Sequence, residues 1–365
     1  MVERSVAAPA ATVARGGSHP GVFEGLQVLR FVAALMVLVT HATFYTSTRI
    51  DTDVSVWDAG TAGVDIFFVI SGFVMMITSG SFVREPQGWR YFAMRRLVRI
   101  VPMYWIATTA KIVTVMILPG VAVRAALDPQ HVLFSYLFLP AVNEVGRVEP
   151  VLGVGWTLTY EMFFYAIFAV ALLVRVNPLV FVGSVMVALS IWGIFVDGSA
   201  SPWVIYLSPL TLYFVVGMVL AVLVRHGLRT WLWVLAGASG CAALVVALAG
   251  AFEWSALAPF RFVTVVGLVA ATVLAEPLLR RVLPKKLQFF GDASYSIYLF
   301  HPLVAPMVPM LLAGMGLPIP WLSIVGAIVW ALLVTSLIYV MLERRIIAAG
   351  RKLPYAGPVP KQMAA

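Results

Sequence analysis

The sequence predicts an all-α, polytopic membrane protein of about ten transmembrane helices with both termini in the cytoplasm. Three observations lead there. Of the 365 residues, 62% are hydrophobic and only 11% charged, with a mean hydropathy of +0.97, whereas a soluble domain carries about 25% charged residues. Ten stretches reach the roughly 17 to 25 apolar residues that a crossing needs. Arginine and lysine also concentrate on alternate connections, as the positive-inside rule requires.

Residues 1–25 are Ala/Gly/Pro-rich and polar, without the apolar centre of a signal peptide, and read as a disordered tail. The expected spans are 28–45, 62–79, 100–118, 154–174, 179–196, 203–224, 231–248, 257–275, 289–312 and 321–342. Arg261 interrupts the start of the eighth. The stretch 132–142, "VLFSYLFLPAV", is too short to cross and reads as interfacial or re-entrant. The membrane domain is expected over 26–345, with 346–365 as a Pro-containing cytoplasmic tail. No convincing internal repeat is present, which argues against a transporter of duplicated halves.

In this arrangement twenty of the 25 arginines and lysines face inward. Four, Arg49, Arg124, Arg147 and Arg261, face outward, and Lys111 alone lies within a span. The net charge of +9 therefore follows from topology, and no nucleic-acid partner is expected. Cys241 is the single cysteine, so an intramolecular disulfide is excluded. There is no P-loop, GxGxxG or HExxH motif, and no spacing that suggests a metal site.

Charges inside the spans carry the chemistry. Arg30 and His41 are eleven residues apart in "LRFVAALMVLVTH". That is about 16 Å along a helix and about 1100° around it, which puts both on one face. Arg30 is either a snorkelling anchor or an anion contact. His41 is either hydrogen-bonded between helices or functional, and an ionisable group at that depth favours function. Arg96 and Arg99, three apart in "YFAMRRLVRIVP", repel one another unless an anion lies between them; Arg95 follows the positive-inside rule.

Glu161, in "WTLTYEMFFY", has Thr157 and Tyr165 four residues to either side on one face. Its plain alternative is a structural partner for Lys111 or an arginine. "GDASYSIYLFHP" carries Asp292 near the inner end, with Tyr298 and His301 as a polar stripe before Pro302. His301 is as readily structural as catalytic. In "AGVDIFFVISGF", Asp65 lies near the outer surface, Gly72 suits close helix packing, and Ser71 is a candidate ligand donor.

Together these motifs resemble acyltransferase family 3, integral-membrane enzymes that O-acylate bacterial glycans and some small molecules. Arg30-x10-His41, "FFVISGF", "RRLVRIVP", "WTLTYEMFFY" and "YSIYLFHP" occur in the family's order, and the resemblance runs from about Leu26 to Leu342. It implies acetyl-CoA, or another acyl-CoA, as donor. The implied acceptor is a hydroxyl of an extracytoplasmic or lipid-linked glycan. It also implies His41 as the catalytic histidine and Arg30, Arg96 and Arg99 at the donor site.

Glu161 and His301 are expected to join the catalysis, Ser71 to join the donor site, and Tyr165 and Tyr298 to contact substrate. Gln27 stands where many members carry an acidic residue, a form that looks more like the exopolysaccharide-acetylating branch. The expected setting is the bacterial inner membrane, among lipid and without a metal. Two rival readings are a flippase for a lipid-linked glycan and an acyltransferase for a small hydrophobic product such as a macrolide.

Overall fold

The computed structural model describes residues 23–83, 85–117, 127–198, 201–248 and 258–357. The described residues are helical, with one isolated bridge between Val142 and Val148 and no strand. Among the described residues six helical segments are long and apolar enough to cross a membrane, or seven if the bent pair Phe260–Leu274 and Glu276–Val282 is one span.

The helices are α1 (Glu24–Arg49), α2 (Ala62–Thr78), α3 (Gly88–Ile117), α4 (Pro129–Tyr136) and α5 (Trp156–Leu173). They continue with α6 (Pro178–Gly193), α7 (Leu212–Arg225), α8 (Arg229–Leu248), α9 (Ala258–Leu274) and α10 (Glu276–Val282). The last five are α11 (Lys285–Asp292), α12 (Ser294–Val304), α13 (Met307–Gly314), α14 (Pro320–Ile338) and α15 (Arg344–Gly350). A π-helical turn, Tyr339–Glu343, joins the last two.

Several expected spans differ in detail. The third begins twelve residues early, at Gly88, because Pro102 is accommodated within α3. The sixth is only partly α-helical: Pro202 and Pro209 each start a 3-10 turn before α7. The fifth is a helix of 16 residues, α6, short for a crossing. The ninth is divided into α11, α12 and α13, and the chain breaks near Pro306 rather than at Pro302. The 132–142 segment contains the end of the eight-residue α4 followed by a turn. At the C-terminus, residues 351–357 fold back on α3, with Arg95 donating to the Gly357 carbonyl at 2.6 Å. Residues 1–22 and 358–365 lie outside the described residues.

Packing follows the rule for helices in lipid, small residues inward and large apolar ones outward. Along α14, Ser323, Ala327, Ala331 and Thr335 recur every four residues and are fully buried. Val325, Val329, Leu333 and Leu337 are exposed on the other side. The buried seam meets Leu38 and Ala42 of α1, and Thr46 and Ser323 hydrogen-bond at 2.8 Å. Helices α2 and α7 approach more closely still. A Cβ on Gly72 would run into the Phe214 carbonyl, and one on Gly217 into the Val69 carbonyl.

Charged side chains finish helix ends that lack local caps. Glu276 accepts from the backbone N–H groups of Glu24 and Gly25 at 2.7 and 2.9 Å, which starts α1 from α10. Arg225 donates to the Met76 and Ile77 carbonyls at the end of α2. Asp65 on α2 and Arg261 on α9 form an ion pair at 2.5 Å, with the Asp65 side chain 2% exposed and that of Arg261 25% exposed. Arg261 also reaches Thr61 at 3.1 Å.

Replacing Gly72 by Leu is expected to separate α2 from α7 and cost about 1–3 kcal/mol, read as an earlier thermal transition of the detergent-solubilised protein. Asp65→Ala is expected to cost about 2–3 kcal/mol, less than a fully buried pair because Arg261 keeps some solvent, and the double change Asp65→Ala/Arg261→Ala is expected to cost less than Asp65→Ala alone.

Candidate active site

Two cavities occupy the middle of the helical body. The inner one is narrow, about 90 Å³, and is lined by Arg30, Ser71, Arg96, Arg99, Glu161, Tyr165, Tyr295 and Tyr298 among others. The outer one is about 1800 Å³ and carries His41 in its wall. Val64 and Tyr298 line both. Seven of the nine side chains singled out in the sequence thus converge on the inner cavity. His41 lies in the outer one, and His301 is buried beside it.

Arg30 projects from α1, and Arg96 and Arg99 from adjacent turns of α3, so one helix pair supplies three guanidinium groups. Arg30 donates from Nη1 to the side-chain oxygen of its neutral neighbour Gln27 at 3.2 Å. Arg96 lies over the rings of Phe92 and Tyr165, both at 5.9 Å, and its buried Nε has no hydrogen-bond partner. Among the described residues the ion pairs are Arg147–Glu149, Arg261–Asp65 and Arg280–Glu276, and none includes these three arginines. Three guanidinium groups thus share one narrow cavity with the single carboxylate of Glu161, an excess of positive charge that a further anion would offset.

Glu161 stands in the same wall. Its Oε1 accepts from Ser71 at 2.7 Å and from Tyr165 at 2.5 Å, which ties α2 to α5. The expected i, i+4 pairing of Glu161 with Tyr165 is present; Lys111 lies in the other cavity instead. Thr157 pairs with Tyr298 at 2.8 Å, and the Tyr298 hydroxyl donates to the Val154 carbonyl at 3.0 Å. Tyr298 is therefore pinned as a post between the cavities. Tyr295, one turn earlier on α12, donates to the Ile100 carbonyl at 2.9 Å and lines the inner cavity. The sequence reading passed over Tyr295, although its i, i+3 spacing from Tyr298 marks the same face.

His41 and His301 meet edge to face, ring centroids 4.8 Å apart at 63°. Each turns Nδ1 toward the carbonyl one helical turn back, Val37 at 2.9 Å and Ile297 at 3.1 Å. A carbonyl only accepts, so in the neutral ring the proton sits on Nδ1 and Nε2 keeps its lone pair. His301 is fully buried and its Nε2 has no partner. Neither Asp292 nor Gly72 lines these cavities. Among the described residues no three His, Cys, Asp or Glu side chains converge as metal ligands would.

The arrangement offers an anion grip at one end, a proton acceptor at the other and a tyrosine between them. Comparisons with known proteins give the family. A family profile described as an acyltransferase domain matches residues 23–340. Exopolysaccharide production protein ExoZ of Rhizobium meliloti (strain 1021) is 35% identical over 299 residues, covering 80% of this chain and 91% of that protein. No solved structure matches the chain. The protein belongs to acyltransferase family 3 and is a membrane-embedded acyltransferase.

Proposed function

We propose that the protein transfers an acyl group, in the first instance acetyl, from cytosolic acyl-CoA to a hydroxyl of an exopolysaccharide or its lipid-linked precursor. One observation carries the reading: three arginines without ion-pair partners among the described residues surround a narrow cavity whose far wall, Tyr298, also borders the cavity of His41. The similarity to ExoZ supports the glycan acceptor. In this reading the chain crosses the bacterial inner membrane ten times with both termini inside. The inner cavity then faces the cytosol and the outer cavity the acceptor.

Arg30, Arg96 and Arg99 hold the donor's phosphates, which matches the preference of the guanidinium fork for phosphate. Glu161, fixed by Ser71 and Tyr165, keeps the lining polar where the thin arm of the donor passes, and Tyr298 marks the passage to His41. The Nε2 of His41 takes the proton of the acceptor hydroxyl. That oxygen bonds to the thioester carbonyl carbon, the carbon–sulfur bond breaks, and the proton passes to the leaving thiolate. His301, with a bare Nε2 beside the ring that gains charge, steadies the imidazolium. Direct transfer is the simpler route, since no second catalytic domain is needed.

The flippase reading lacks a reason for two histidines packed edge to face, each with Nδ1 turned to its own helix backbone. A macrolide-type acceptor would suit the size of the outer cavity but not its charges, which favour a polar substrate.

Replacing His41 by Ala is expected to abolish acyl transfer while the protein still inserts and elutes as a folded species; near-normal turnover would overturn the assignment. Arg99→Glu is expected to weaken acyl-CoA binding at least about tenfold, read by equilibrium binding to reconstituted protein, and unchanged affinity would remove the phosphate site.

A further inference from the structure

The Asp65–Arg261 pair joins α2 to α9, and both residues also line the outer cavity that carries His41. The two ends of the pair are unequal, with the Asp65 side chain 2% exposed and that of Arg261 25%. Asp65 accepts from Arg261 Nε at 2.5 Å, and the buried Tyr213 lies beside the same carboxylate. On the other flank Thr61 accepts from Nη1 at 3.1 Å. A guanidinium carries five N–H donors in a rigid fork, and these two bonds take one each. The carboxylate is therefore the buried foot of the pair, and the guanidinium is the end that opens on the cavity.

A fork braced from two sides needs little further ordering when a ligand arrives. Its charge is met by Asp65, so it offers directed donors rather than net charge. Two neighbouring hydroxyl oxygens of a sugar ring suit such a fork. The surroundings suit a sugar as well. The rings of Tyr213 and Phe262, 5.1 Å apart, line the cavity with Arg261 and give the apolar face of a sugar a surface. Asp58, exposed in the 3-10 turn Asp58–Thr61, brings an acceptor for hydroxyl protons to the same wall. That turn is seated on the part of α1 that presents His41. Thr40 donates to the Trp57 carbonyl at 2.8 Å, and a Cβ on Gly60 would run into the Met36 carbonyl.

We infer that Arg261, braced by Asp65 and Thr61, is a specificity residue that takes two neighbouring ring hydroxyls of the acceptor sugar. The inference rests on the acyltransferase reading of the site and adds how the acceptor is held. The grip orients the sugar unit beside His41 and so decides which of its other hydroxyls meets Nε2. In a glycan the anomeric carbon is engaged in a linkage, so each remaining pair of neighbouring ring hydroxyls includes the one on C3.

The test removes that hydroxyl and the fork separately and together. Reconstituted full-length protein, without any acyl donor, is titrated with glucose, galactose and their 3-deoxy forms. Trp156 and Trp330 line the cavity and supply a fluorescence signal. Wild type is expected to bind at least one hexose about tenfold more tightly than its 3-deoxy form. Arg261→Lys keeps a cation for Asp65 but not the parallel donors. It is expected to weaken the hexose about tenfold and the 3-deoxy form little, so that the difference closes. Thr61→Val keeps the ion pair, removes one brace and is expected to narrow the difference.

Wild type that binds neither hexose overturns the assignment, as does a difference that survives Arg261→Lys in a folded sample. Equal weakening of the hexose and its 3-deoxy form marks a purely structural pair and also overturns it. Should Arg261→Lys fail to fold, an unchanged difference in Thr61→Val does so alone. Acyl-CoA binding measured on the same samples separates the two claims. Discrimination at C3 that depends on Arg261, without any acyl-CoA binding, retains the sugar grip and removes the acyl-CoA mechanism. Turnover of acyl-CoA that depends on His41, without discrimination at C3, does the reverse.

Discussion

A guanidinium group within a helical bundle must find a carboxylate, a carbonyl or a ligand, because solvent is not there to stabilise it. Each arginine in the body of this protein can be sorted by which of these it finds. Arg225 takes carbonyls at the end of α2, Arg261 takes Asp65, and Arg280 shares Glu276 with the first turn of α1. These interactions hold the helices in place. Arg30, Arg96 and Arg99 have no carboxylate in the ion pairs among the described residues, and they surround a cavity. Asp65 and Glu276 are thus engaged by structural cations, while three arginines share one cavity with a single carboxylate, Glu161.

The two histidines show the same economy. Both turn Nδ1 into their own helix, so the helix backbone itself selects the tautomer with a basic Nε2. Glu161 is engaged elsewhere, by Ser71 and Tyr165. Tyr298, pinned to Val154 and Thr157, borders both the histidine cavity and the arginine cavity, as does Val64.

Much of this was legible because local spacing carries it. Arg96 and Arg99 share a face by i, i+3 geometry, and the i, i+4 pair of Glu161 and Tyr165 appears as a hydrogen bond. The class of fold followed from apolar length alone. What sequence could not carry was partnership across the chain. Asp65 and Arg261 are 196 residues apart, Glu276 caps a helix that begins 252 residues earlier, and Ser71 donates to Glu161 across 90. Neither partner advertises the other. Span limits also failed wherever proline altered the helix: Pro102 is absorbed, while Pro202 and Pro209 divert the chain into 3-10 turns. Arg30 and His41 share a helix face, yet Tyr298 puts their cavities on opposite sides of one wall.

The central claim is that donor and acceptor reach the reaction from opposite ends of the protein. Sealed vesicles containing oriented, reconstituted protein test it directly, with radiolabelled acetyl-CoA on one side and a membrane-impermeant oligosaccharide on the other. The account predicts labelled oligosaccharide only when the donor is on the side bearing Arg30 and the acceptor is opposite. Label that appears only when both substrates share one side would contradict it.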